Sequence, residues 1–145
     1  TMGYGFPGAI GAKIGNPDVP VIMISGDGGM QMNIQEMATA VTQGANVTVC
    51  VLNNYYLGMV RQMQTTFLNH RYIATEPERK SDYVKLAEGF GAKGFLATTE
   101  EEFRAAMREA LATDGPSWIT CPIDREERVL PWIPNGKTVQ EIILE

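Results

Sequence analysis

Asp27 and Asn54 are the two residues of this sequence whose type and spacing carry chemistry. Asp27 stands in Gly26-Asp27-Gly28-Gly29, directly after the apolar run VPVIMIS at residues 19–25. Asn54 closes Asn53-Asn54, directly after the apolar run VTVCVL at residues 47–52, and twenty-six residues separate the two side chains. That interval holds one crossover helix with a turn at each end, so a carboxylate and an amide oxygen can meet at one edge of a parallel sheet. Both are hard oxygen donors, as are the backbone carbonyls beside them. Such a set suits magnesium, which takes few protein ligands and completes its octahedron with water and phosphate oxygens. Gly28 and Gly29 let the backbone approach an anion closely, and a helix expected from Asn33 would offer unsatisfied N–H groups to it. The chemistry so described is a metal-bridged diphosphate. Either half alone reads as an ordinary turn, because Gly, Asp and Asn commonly serve turns.

The elements that position these residues are legible from periodicity. Residues 19–25 and 47–52 are short, β-branched and continuously apolar, the profile of strands buried on both faces. Between them Ile34, Met37, Ala38 and Val41 recur at helical spacing, with Asn33 as the expected N-cap and Gln43-Gly44 as the stop. A second helix is expected over residues 57–66, followed by a polar, proline-containing loop over residues 69–80 that reads as mobile. Ser81 is expected to cap a short helix carrying Tyr83, Leu86, Ala87 and Phe90, which Gly91 ends; residues 93–97 form a brief strand. Thr99 and Glu102 make a capping box for a helix bearing Phe103, Met107, Ala110 and Leu111, with Glu100-Glu101-Glu102 as its charged first turn. Residues 118–123 are the last strand. Strands alternating with helices predict an α/β domain: one open, mostly parallel sheet with helices on both faces and ligands beyond the carboxyl ends of the strands.

Bulk properties narrow the partners. A chain of 145 residues suits one domain, and a formal charge of -5 without any basic run argues against nucleic acid or an acidic membrane surface as partner. No apolar stretch is long enough to span a bilayer. Cys50 and Cys121 lie in apolar runs and read as buried free thiols of a reducing, cytoplasmic setting. The opening TMGYGFPGAIGAK, with five glycines in the first fifteen residues, lacks the pattern of a signal peptide and reads as a chain entered midway. Asn46-Val47-Thr48 matches a glycosylation sequon but begins a buried strand.

Two nucleotide motifs fail on their letters. Gly26-Asp27-Gly28-Gly29-Met30-Gln31 lacks the third glycine of the dinucleotide fingerprint, and no acidic residue ends the second strand. Gly136-Lys137-Thr138 mimics the end of a P-loop, but Pro131 stands where its first glycine belongs. The pair GDG and NN at this separation instead resembles the thiamine diphosphate motif shared by transketolase-like and pyruvate decarboxylase-like enzymes. That resemblance implies that Asp27 and the Asn54 side chain hold Mg2+, that the Tyr56 carbonyl completes the protein ligands, and that Gly26, Gly28, Gly29, Leu57, Gly58 and Met59 line the cofactor.

The flanking words TMGYGFPGAIGA, LNNYYLGMVRQMQ and CPIDREERVLPWIPNGKTVQEII resemble the acetohydroxyacid (acetolactate) synthase family along essentially the whole chain. The resemblance implies the pyrophosphate-binding, C-terminal domain of a catalytic subunit that joins two 2-keto acids with loss of carbon dioxide, in branched-chain amino acid biosynthesis. It implies that Met2 supports the bent cofactor and that FAD belongs only to the full-length enzyme; Met59 and Gln62 read as substrate-side residues or equally as ordinary packing on an amphipathic helix. No catalytic residue is assigned within this chain: the glutamate that activates the cofactor is expected from a pyrimidine-binding domain of a neighbouring subunit. The chain is thus expected to be a single domain without the pyrimidine-binding and middle domains, inactive alone, part of a homodimer or larger assembly, with a regulatory subunit as a further possible partner. Many family members read GMVxQW where this sequence has Met63; a wider, softer wall there ranks pyruvate ahead of 2-ketobutyrate as acceptor. Another thiamine diphosphate-dependent decarboxylase or oxidase of 2-keto acids, and a non-catalytic cofactor-binding domain, stay open as alternatives. His70 reads as a solvated loop imidazole with nothing to orient it, and Arg71 and Lys80 as surface charges.

Overall fold

The computed structural model of the chain describes residues 2–77 and 81–144. Four strands, β1 (Val21–Gly26), β2 (Val47–Asn53), β3 (Lys93–Leu96) and β4 (Ser117–Pro122), form one sheet in the order β1-β2-β4-β3. Every pairing is parallel. Helices α1 (Gly5–Gly15), α2 (Asp27–Gln31), α3 (Glu36–Thr42), α4 (Gly58–Phe67), α5 (Tyr83–Gly89) and α6 (Glu100–Ala112) connect and cover it.

The side-chain period of two sorts the strand residues onto two cores. On one face Met23, Val47, Val49, Val51 and Trp118 pack with Phe6, Ala9 and Ile10 of α1, Met37 and Ala40 of α3, and Tyr83 and Ala87 of α5. The Tyr83 ring stacks on Trp118 at 5.7 Å. On the other face Cys50, Ile119 and Cys121 meet Ala106 and Ala110 of α6. Helices therefore cover both faces, as expected, but unequally. The expectation that residues 19–25 are buried on both faces is corrected: β1 is an edge strand, and Ile22 and Ile24 on the α6 side are exposed. Their β-branched run signals a pleated surface and carries no information on what covers it.

Two caps also differ. Asn33 caps nothing; its amide donates to the Gly3 carbonyl at 2.8 Å, and α3 begins at Glu36 after a tight turn. The short α5 is capped by Asp82, whose carboxylate accepts the Lys85 N–H at 3.1 Å, rather than by Ser81. The Thr99–Glu102 capping box of α6 is formed as the letters require. Residues 71–76 of the expected mobile loop are tied down: the Gln64 amide clasps the backbone of Ile73 through both its ends, and Leu57 N–H donates to the carbonyl of buried Thr75. Residues 78–80, with Lys80, lie outside the described residues. No helix among those described is long and apolar enough to cross a membrane.

Candidate functional site

Register brings the two signature loops together. Gly26, the last residue of β1, pairs with Leu52 of β2, so Asp27 and Asn53-Asn54 follow one another off the carboxyl ends of adjacent parallel strands. Such strands run about 4.8 Å apart. The Asp27 side chain is 1% exposed and Asn54 is 8% exposed. A buried carboxylate is retained only where hydrogen bonds or a cation satisfy it. Asp27 is the first residue of α2, which packs on both β1 and β2. The helix start that periodicity assigns near Asn33 is corrected: a short helix already begins at Asp27, within the signature, and the next begins at Glu36. Gly28 and Gly29 lie inside this short helix, which the sequence does not announce because GDGGMQ, with a single large apolar residue, shows no helical period to read.

The second loop is built from side-chain turns. Asn53 Oδ1 accepts the Tyr55 N–H at 3.2 Å and Asn54 Oδ1 accepts the Tyr56 N–H at 3.1 Å. Tyr55 takes the left-handed φ of 62°, a conformation that costs a non-glycine residue about 1 kcal/mol or more. The strain turns the chain sharply from β2 into α4. Two glycines leave room where a methyl group would intrude. A Cβ on Gly58 would stand 2.9 Å from Asn54 Nδ2, and one on Gly29 would stand 3.1 Å from Ser25 Oγ. The oxygen donors at this edge are thus one buried carboxylate, one oriented amide and backbone carbonyls, a set whose chemistry fits a magnesium ion bridged to phosphate.

Comparison with known proteins decides the family. Residues 1–121 match the thiamine pyrophosphate enzyme C-terminal TPP binding domain. The chain belongs to this family. Its sequence is similar to the mitochondrial acetolactate synthase catalytic subunit of Saccharomyces cerevisiae, 40% identical over 99% of this chain and 21% of the relative. It is 39% identical to the acetolactate synthase isozyme 1 large subunit of Escherichia coli over 100% of this chain and 26% of the relative. A thiamine diphosphate-dependent 4-hydroxybenzoylformate decarboxylase from Rhodococcus jostii RHA1 shares the fold at a TM-score of 0.81 and 31% identity, over 87% of this chain and 24% of that one. The chain spans about a quarter of the length of these proteins.

Around the thiamine pyrophosphate-binding domain's signature loops the remaining residues distribute as follows. Gly3 packs against Met32 and Asn33 just beyond α2, which brings the exposed Met2 to the same end of the sheet. Leu57 precedes α4, and Met59 and Met63 are exposed on it, available to a ligand. Gln62 is 6% exposed, and its amide donates to the Val129 carbonyl at 3.1 Å and accepts the Val129 N–H at 2.9 Å, so it clasps the C-terminal segment, the packing role left open for it beside a substrate-side one.

His70 is likewise oriented rather than loose: its Nδ1 lies 2.9 Å from the Tyr72 hydroxyl. The feature that periodicity missed is Arg61. Its side chain is 12% exposed, its guanidinium carbon lies 3.7 Å from the centre of the Tyr72 ring and 4.4 Å from that of Tyr56, and it donates to Glu126 at 2.6 Å and to Glu76 at 3.3 Å. Arg125 also lies over the Tyr56 ring, at 4.2 Å. Hydrogen bonds from Arg61 hold the Glu126 carboxyl below its ordinary range. Elsewhere both cysteines are free and buried; burial, reinforced by Cys121, pushes the Cys50 thiol up to about 11.

Proposed function

We propose that this chain is the thiamine diphosphate- and magnesium-binding domain of an acetolactate synthase catalytic subunit. The observation that carries the reading is the buried Asp27 beside the Asn54 turn at the ends of adjacent strands. In this reading Asp27, the Asn54 amide and the Tyr56 carbonyl hold the metal. Gly26, Gly28, Gly29, Leu57, Gly58 and Met59 line the cofactor, with Met2 against its ring. Bound there, thiamine diphosphate supplies the electron sink for decarboxylation of a 2-keto acid. The chain's own residues bind, orient and desolvate; none is assigned a proton transfer, which falls to a glutamate from a pyrimidine-binding domain. Flavin, that domain, a regulatory subunit and assembly as a dimer or larger are proposals for the longer protein. The two buried free thiols suit a reducing compartment such as the cytoplasm.

Similarity to acetolactate synthases across nearly the whole chain supports condensation of pyruvate with a second 2-keto acid as the reaction, and Met63 in the exposed wall of α4 supports pyruvate as acceptor. The likeness to a 4-hydroxybenzoylformate decarboxylase favours one second reading, decarboxylation with release of an aldehyde and no condensation. Product analysis separates them. The longer protein, given pyruvate, thiamine diphosphate and Mg2+, is expected to yield acetolactate; acetaldehyde as the main product would favour the second reading, and no consumption of pyruvate would sink both.

A further inference from the structure

We propose that Arg61 is a positioning residue for the Asn54–Tyr56 metal turn, acting through the Tyr56 ring. The inference rests on the reading of Asn54 and Tyr56 as metal ligands. A guanidinium laid on an aromatic face fixes the ring, and the ring fixes the backbone to which it is attached. Tyr56 is 7% exposed and follows Tyr55, whose left-handed backbone persists only if its surroundings over-determine it. The hydrogen bond from Tyr56 N–H to Asn54 Oδ1 locks the side chain of one proposed ligand to the backbone of the next. Whatever holds the Tyr56 ring therefore sets both donors at once.

Arg61 is suited to that task because it is itself held from three sides. Its Nε and Nη2 fork onto Glu126 at 2.6–3.0 Å, its Nη1 donates to Glu76 at 3.3 Å, and the Tyr72 ring lies on it at 3.7 Å. The planar fork accounts for the choice of arginine; a lysine ammonium in the same place would keep the charge and lose the stacking and the bidentate bond. Three segments remote in sequence, the turn at 53–57, the loop at 71–76 and the segment at 124–128, thereby meet at Arg61, and Arg125 of the last segment lies over the same Tyr56 ring at 4.2 Å.

The test measures the Mg2+ concentration needed for half-maximal thiamine diphosphate binding, by titration calorimetry on the 145-residue chain and on the longer protein. Arg61→Gln, Arg61→Lys, Glu126→Gln and Asp27→Ala are compared with the parent, and metal-free thermal midpoints are recorded for each. We expect Arg61→Gln to raise the Mg2+ requirement about tenfold, Arg61→Lys to fall between it and the parent, and Glu126→Gln, which is itself no proposed ligand, to shift it in the same direction. Should Arg61→Gln not fold, Glu126→Gln carries the test. A lowered midpoint with an unchanged Mg2+ requirement in both Arg61→Gln and Glu126→Gln would overturn the proposal and leave the cluster as packing. If Asp27→Ala keeps normal Mg2+ coupling, the metal-site reading fails, and the Arg61 proposal with it. Loss of coupling in Asp27→Ala with no effect of Arg61→Gln or Glu126→Gln would sink the Arg61 proposal alone.

Discussion

A Cβ on Gly58 would stand 2.9 Å from the side-chain nitrogen of Asn54. The glycine is therefore required by the amide one turn earlier, since its backbone is in the ordinary helical region and α4 would accept alanine there. Gly58→Ala is expected to rotate the Asn54 amide, weakening Mg2+-dependent cofactor binding about tenfold while leaving the thermal midpoint unchanged or slightly raised. Calorimetric titration and a thermal melt on the same sample check both halves. Unaltered Mg2+ dependence would show that Asn54 is not held by this contact.

Acid sensitivity should trace to carboxylates that are hydrogen-bonded in the native state. The Glu102 carboxyl is held below its ordinary value of 4.5 by the hydroxyl and N–H of Thr98 and the N–H of Thr99, and Glu126 by Arg61. A depressed native pKa contributes stability that is fully present above the unfolded value and is lost as pH falls through the lowered native one. Stability should accordingly be flat from neutrality to about pH 5 and decline below it. Glu102→Gln should show a shallower decline in urea melts taken between pH 3 and 6, a window set by that linkage. An equally steep decline in the variant would assign the acid response to other groups.

Met37 of α3 is fully buried between its helix and the first face of the sheet. Met37→Ala removes apolar volume there and is expected to cost about 2–5 kcal/mol in urea unfolding. A loss below about 1 kcal/mol would mean that α3 packs more loosely than described.

The two thiols should be silent in the native protein. With Cys50 raised to about 11 and Cys121 raised by burial, neither is a thiolate near neutral pH. A disulfide reagent at pH 8 should label them only after denaturant is added. Rapid labelling of the folded chain would contradict their burial.

Much of this architecture was legible because the determinants are local. GDGG and NN announce themselves as strand ends; the Thr99–Glu102 box lies within four residues; Gly44 and Gly91 stop their helices with positive φ. What escaped depends on distant partners or on missing period. Arg61 drew no reading, because its partner Glu126 lies sixty-five positions away. Substrate-side and packing readings of Gln62 stayed level for the same reason, its partner Val129 being sixty-seven positions distant. The exposure of Ile22 and Ile24 follows from β1 lying at the sheet edge, and an apolar run looks alike at edge and centre. The short α2 carries too few large side chains to show helical spacing, which moved the expected helix start to Asn33.

The most direct test of the central claim is a calorimetric titration of thiamine diphosphate into the chain, with and without Mg2+, for the parent and for Asp27→Ala. If Asp27 and Asn54 grip a metal that carries the diphosphate, Mg2+ strengthens cofactor binding in the parent and that coupling vanishes in the variant. Cofactor binding that ignores Mg2+ in the parent, or coupling that survives loss of the Asp27 carboxylate, would contradict the account.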